Sequence, residues 1–199
     1  VIVINPTETL QKSRDSQRIS DLATMKSAFG MYLTTTSSPQ LDGTGGTIND
    51  KCDGGTGANE ELWVSVPTAV ATISDATPPS GWTQAGTSWQ QSATVAASTV
   101  TDGTGWIPVN FNGIIGGSPI SNLPLDPTNT IGTVSAVTNA DLMYRYACKK
   151  SPLTYEIDAK LESTEYTTND NRGSKDGGNN ATLYEVGTDL TILPSTNDF

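Results

Sequence analysis

Apolar residues recur at helical intervals in one long stretch near the amino end. Ile19, Leu22, Met25, Phe29 and Leu33 fall three or four positions apart, while Lys12, Arg14, Asp15, Arg18, Asp21 and Lys26 occupy other faces. This is the pattern of an amphipathic helix. Asn5-Pro6-Thr7-Glu8 marks its start: an N-cap side chain, a proline at the first helical position and an acid at the capping-box position. No proline follows before Leu33 and the only glycine is Gly30, so one helix is predicted over 7–33. Its stripe is uneven. Between Glu8 and Gln17 the only sizeable apolar residue is Leu10. The front half is therefore expected to be solvated or used against other molecules, whereas the rear half can lie on a sheet.

Beyond the helix the period changes. Thr34 to about Asp50 is dominated by Thr, Ser, Gly and Pro, and 42–57 continues in Gly, Asp, Asn and Thr around Cys52; both read as loop. Leu62–Val66 reads as a short strand ended by Pro67, and Gly105–Phe111 as an extended arm. Leu142–Cys148 and Thr154–Leu161 read as strands joined by Lys149–Leu153. In the second of these, Tyr155, Ile157, Ala159 and Leu161 share one face, and Glu156, Asp158, Lys160 and Glu162 the other. A polar loop, Tyr166–Asn180, leads to a last strand near Thr182–Val186. Strict alternation predicts an antiparallel sheet with one dry and one wet face. The fold class is α+β: a long amino-terminal helix packed on an antiparallel sheet, with long loop insertions. It is read as one globular domain made of helix 1–33, a loop-rich insertion 34–104, and sheet with carboxyl-terminal loop 105–199.

Composition narrows the function. The 199 residues carry a net charge of −10, which argues against nucleic acid, since neutralising phosphates needs basic patches. There is no His, so His-based triads and His-ligated zinc are excluded. Cys52 and Cys148 stand too far apart for a metal motif. They form a disulfide if the protein is exported, or otherwise two buried thiols. No run approaches the roughly 20 apolar residues that cross a membrane, although the chain opens on Val1-Ile2-Val3-Ile4.

Three passages resemble type IV pilins and the major pseudopilins of type II secretion. Asn5-Pro6 through Leu33 is similar to the exposed continuation of the pilin helix. Ser121-Asn122-Leu123-Pro124-Leu125-Asp126-Pro127 is similar to the LPxDP segment that precedes the pilin sheet, although Thr128 stands where an aromatic is usual. Tyr144–Cys148, Tyr155–Glu162, Asp176-Gly177-Gly178-Asn179 and Tyr184-Glu185-Val186-Gly187 resemble that family's sheet and terminal loop. The prepilin signal is not present, so Val1–Ile4 is expected to be the remnant of a membrane-spanning segment.

The resemblance implies a structural subunit, not an enzyme. Its partners would be copies of itself in a helical filament, the pilus or secretion assembly machinery, and the inner membrane before assembly; its place would be the cell surface. Lys12, Arg14, Asp15 and Arg18 are then candidates for charge pairing between subunits. The family also implies a structural calcium ion in the terminal loop, for which Asp170, Asp176, Asn179 and Asn180 are the candidate oxygen donors; Asn49-Asp50-Lys51-Cys52-Asp53 is a second, weaker cluster. The same-class alternatives are a secretion pseudopilin or a minor pilin.

A secreted adhesive or carbohydrate-binding domain is the alternative of another class, with Trp63, Trp82, Trp89 and Trp106 as stacking platforms. Asn180-Ala181-Thr182 fits a glycosylation sequon. The carboxylate pairs Glu60/Glu61 and Glu156/Asp158 are the nearest approach to a hydrolytic site, but the first lies in a polar stretch and the second is expected on the wet face.

Overall fold

The computed structural model describes residues 5–43, 48–54, 61–65, 88–90 (backbone only), 99–131, 140–193 and 195. The apolar start Val1–Ile4 lies outside the described residues.

Helix α1 spans Pro6–Thr35, 30 residues. The Asn5 side chain accepts from the Thr7 N–H at 3.1 Å and the Glu8 N–H at 3.4 Å, which satisfies amides that have no partner in the first turn. Glu8 does not close a capping box. Its carboxylate instead accepts the N–H groups of Thr164 and Glu165, each at 3.1 Å, and so ties the helix front to the chain beyond the sheet.

Among the described residues five strands form one sheet. In chain order they are β1 (Glu61–Val64), β2 (Ser88–Gln90), β3 (Tyr144–Lys149), β4 (Thr154–Lys160) and β5 (Leu183–Gly187). Their spatial order is β2-β1-β3-β4-β5. The pairs β1–β3, β3–β4 and β4–β5 are antiparallel, while β2 joins β1 in parallel. The expected antiparallel sheet therefore carries one parallel edge, and the stretch read as a loop-rich insertion supplies two of the strands. The β3–β4 hairpin turns through a cis Ser151–Pro152 bond.

Alternation sets the helix-facing side. Trp63, Tyr144, Tyr146, Tyr155, Ile157, Ala159 and Val186 pack against Leu22, Met25, Ala28, Phe29 and Tyr32 of α1. Phe29 sits at the centre, stacked on Tyr155 at 4.2 Å and edge-on to Phe111 at 5.2 Å between ring centroids. Leu41, Trp106, Ile107, Val109, Ile114 and Leu123 close the rim of this core. Gly105 is required there: a Cβ would meet the Val100 carbonyl oxygen at 2.2 Å, so the backbone turns closely enough to bury Trp106, whose Nε1 donates to the Pro124 carbonyl at 2.9 Å.

The opposite face is not wet. Glu156 and Asp158 are both buried, beside a second apolar cluster of Leu62, Val64, Ile131, Met143, Ala147, Ile192 and Leu193. The cover comes from the carboxyl-terminal segment and the chain around Ile131. Glu156 Oε2 accepts the N–H groups of Ile192 and Leu193 at 2.8 and 2.9 Å, and that draws the segment across.

Candidate functional site

The front half of α1 has few apolar residues, yet it is docked on its own chain. Arg18 is fully buried and all five of its N–H donors are used. Nε and Nη2 bind Asp126 through both carboxylate oxygens at 2.7 and 2.9 Å. Nη1 donates to Asp15 at 2.8 Å and to Glu162 at 2.6 Å, and Nη2 also reaches Thr128 at 3.3 Å. Burial alone would lower the Arg18 pKa; Asp126, Glu162 and Asp15 outweigh it and hold the guanidinium charged.

Asp15, equally buried, accepts the N–H groups of Glu162 and Ser163 and the Ser163 hydroxyl. Arg14 forks onto Glu162 at 2.7 and 2.8 Å, and Lys12 reaches Glu165 at 3.4 Å. This corrects the expectation of an unpacked front half: directional charge pairing, not hydrocarbon, fastens it. Asp15 and Arg18 are enclosed by their own monomer and present nothing to a neighbour. Lys12 and Arg14 are partly exposed but already hold intramolecular partners. Asp126 belongs to the Leu123-Pro124-Leu125-Asp126-Pro127 segment, so that motif's acid is the anchor of the helix arginine.

The other side of α1 is a different surface. Positions 13, 16, 20, 23, 27, 30 and 34 alternate by three and four, are exposed, and carry Ser, Ser, Ser, Ala, Ser, Gly and Thr. Gln17, Thr24 and Met31 flank them on one side and the exposed Lys26 borders them on the other. The seven stripe positions carry no charge, on a chain of net charge −10. Several hydroxyls turn back onto the helix: Ser16 donates to the Lys12 carbonyl, Thr24 to Ser20, Ser27 to Ala23 and Thr34 to Gly30, all between 2.8 and 2.9 Å. The face is therefore smooth, small and internally satisfied.

The candidate calcium loop is occupied by protein groups. Asp170 pairs with Arg172 at 2.7 Å and with Lys175 at 2.6 Å. Asp176 accepts the N–H groups of Gly178 and Glu185. The Asn179 amide donates to the Leu193 carbonyl, and Asn180 Oδ1 accepts from Thr182. Among the described residues no group of three or more Asp, Glu, Cys or His side chains is arranged to hold a metal ion. With its most exposed carboxylate neutralised by two cations, the loop as arranged does not fit a calcium cage. In the second cluster Asp50 faces Lys150 at 3.6 Å.

Cys52 and Cys148 form a disulfide at the end of β3, where the Asp53 N–H donates to the Cys148 carbonyl at 2.7 Å. Trp63 and Trp106 are buried, so neither offers a stacking platform. Trp82 and the side chain of Trp89 lie outside the described residues, as does Glu60. Asn180 of the sequon is buried.

Sequence reasoning missed one cluster, because β4 alternation reads as solvent-facing. Arg145, Asp158 and Glu185 stand in register across β3, β4 and β5, with Glu156 beside them. Burial pushes the pKa of Glu156 up, and its hydrogen bond to Glu185 pushes it further; burial raises Glu185 as well. Arg145 binds Asp158, and burial beside each other favours the protonated forms of Glu156 and Glu185.

Comparison with known proteins returned no matching family model, no matching curated protein and no matching solved structure.

Proposed function

We propose that this chain is a structural subunit of a bacterial type IV pilus or pilus-like filament, polymerising through α1. The observation that carries the reading is the stripe of seven small, uncharged, exposed residues along α1 from Ser13 to Thr34, bordered by Lys26 as its one exposed charge on that side. Copies of an acidic protein repel one another over most of their surfaces. They meet at least electrostatic cost where neither presents charge, and Ser, Ala and Gly at three–four spacing let helix backbones approach closely. The resemblance to pilins in the helix, the Leu123–Pro127 segment and the sheet agrees with this reading.

In this account the subunit waits in the inner membrane, is passed to the assembly machinery, and ends in a filament at the cell surface. A pseudopilin of type II secretion or a minor pilin would use the same face. Electron microscopy of the full-length protein under assembly conditions tests the proposal. Helical fibres with α1 at the subunit contacts are expected; a protein that stays monomeric with its assembly machinery present refutes it.

A further inference from the structure

A cavity of about 260 Å³ opens between the end of β4, the chain that follows it and the start of β5. It is lined by apolar Leu161 and Leu183, aromatic Tyr166, polar Thr167, Asn171 and Thr182, and charged Lys160. The volume lies just under the roughly 300–1,000 Å³ of pockets that enclose drug-sized ligands. It suits one small ring.

Its walls are held by the protein itself. Residues Glu165–Asn169 form a single π-helical turn, tied to the front of α1 through Glu8, which accepts the Thr164 and Glu165 N–H groups. The Arg172 guanidinium lies over the Tyr166 ring, 5.4 Å from its centroid, and the Arg172 N–H donates to the Tyr166 carbonyl at 2.9 Å. Asp170 pins Arg172 in turn, at 2.7 Å. Arg172 is not part of the lining, so the ring meets the cavity with the surface that the guanidinium leaves uncovered. Gly173 packs so tightly on the Leu183 and Ala181 carbonyl oxygens that a side chain there would collide with them, which fixes the loop against the start of β5. A preformed wall lowers the ordering cost of binding.

The hydrogen bonds of the lining define the ring. The Thr167 hydroxyl donates to the Ser163 carbonyl at 2.8 Å and the Thr182 hydroxyl to Asn180 Oδ1 at 2.7 Å, so both present oxygen lone pairs to a ligand. Asn171 Oδ1 accepts the Ser174 N–H at 3.0 Å, which leaves its NH₂ group as the donor. Acceptors, a donor, an aromatic ring and apolar wall together complement a pyranose, whose hydroxyls both donate and accept and whose C–H face lies on aromatic carbon. Of the lining residues only Lys160 carries charge. A phosphate or a zwitterion calls for several charges of matched sign, and a chain of net charge −10 disfavours anions.

We propose that this cavity binds a neutral hexose. The site lies within one chain, so it stands whether or not the filament reading does. The test titrates the isotope-labelled protein with glucose, galactose and mannose, and follows its amide signals by NMR. At least one sugar is expected to shift the signals of Tyr166, Asn171, Gly173 and Thr182 saturably, with a Kd of about 1–10 mM for so small a ligand. Tyr166→Leu is expected to weaken that binding severalfold, while Tyr166→Phe, which keeps the ring, retains it. Thr182 is exposed, so Thr182→Val is expected to keep the melting temperature of the unaltered protein and still lose affinity. No saturable shift at these amides with any of the three sugars overturns the site, as does unchanged affinity in both Tyr166→Leu and Thr182→Val. Tighter binding of N-acetylneuraminic acid than of the three hexoses overturns the assignment to a neutral ring.

Discussion

Arg18 shows how far a single side chain can depart from what its sequence neighbourhood suggests. Three carboxylates and Thr128 surround it without solvent, so its removal would strand Asp15 and Asp126 as buried negative charges. Arg18→Met is expected to cost about 3–5 kcal/mol of unfolding free energy by chemical denaturation, the range for breaking a buried pair at one partner. A loss under 1 kcal/mol would show that water enters the site.

The Glu156–Glu185 pair belongs to the same scale and carries a sign. Burial raises the pKa of both, so the folded state keeps a proton that the unfolded chain releases near the ordinary glutamate value. The resulting stability is present in acid and declines as pH rises through the folded value, at about 1.4 kcal/mol per pH unit for one proton. Glu156→Gln is expected to flatten that decline, which denaturation curves from pH 5 to 9 would measure. An unchanged slope would mean that the retained proton is not there. Neither site was legible in the sequence. Periodicity assigns charged residues to solvent, and of the groups enclosing Arg18 only Asp15 is a sequence neighbour, while Asp126, Thr128 and Glu162 lie more than a hundred positions away.

At the scale of elements the sequence reading did better, for a physical reason. A helix of 30 residues and strands of strict alternation are local patterns, and the predicted 7–33 helix lies within the observed Pro6–Thr35. Thr154–Lys160 and the helix-facing row of Tyr155, Ile157 and Ala159 follow from period two alone. The second covered face does not, because its lid is built from distant stretches, Ile131 and Ile192 with Leu193 among the described residues, and a lid leaves no mark on the strand it covers. The parallel edge strand β2 was equally invisible, since Ser88–Gln90 lies in Ser-, Thr- and Ala-rich sequence with no alternation.

The outer face of α1 yields a prediction of its own. Ala23 is exposed at its middle, so Ala23→Glu is expected to change monomer stability by no more than about 0.5 kcal/mol while abolishing fibres. Sedimentation of assembled material beside thermal melting separates the two effects; fibres that tolerate the charge would remove this face from the contact.

Across the whole molecule, cohesion comes from cross-links between stretches far apart in sequence. The disulfide closes a separation of 96 residues, and it pins the segment around Cys52 to the end of β3. A closed loop of that length is expected to contribute about 4–5 kcal/mol in the chain-entropy account. The double replacement Cys52→Ser/Cys148→Ser should show that loss in urea, and a reductant should reproduce it once the buried bond is reached. An unchanged midpoint would mean that packing and the hydrogen bonds of Asp42 and Asn49 hold Leu41 and Cys52 in place without the covalent link.

Apolar surfaces glide past one another with little resistance, whereas a forked guanidinium–carboxylate joint yields only by breaking. A tug applied along the rod of α1 therefore reaches the head through Arg18, Asp126 and Glu162 before it strains the aromatic layer around Phe29. The same charged rivet that replaces missing hydrocarbon in the front half makes rod and head a single mechanical piece.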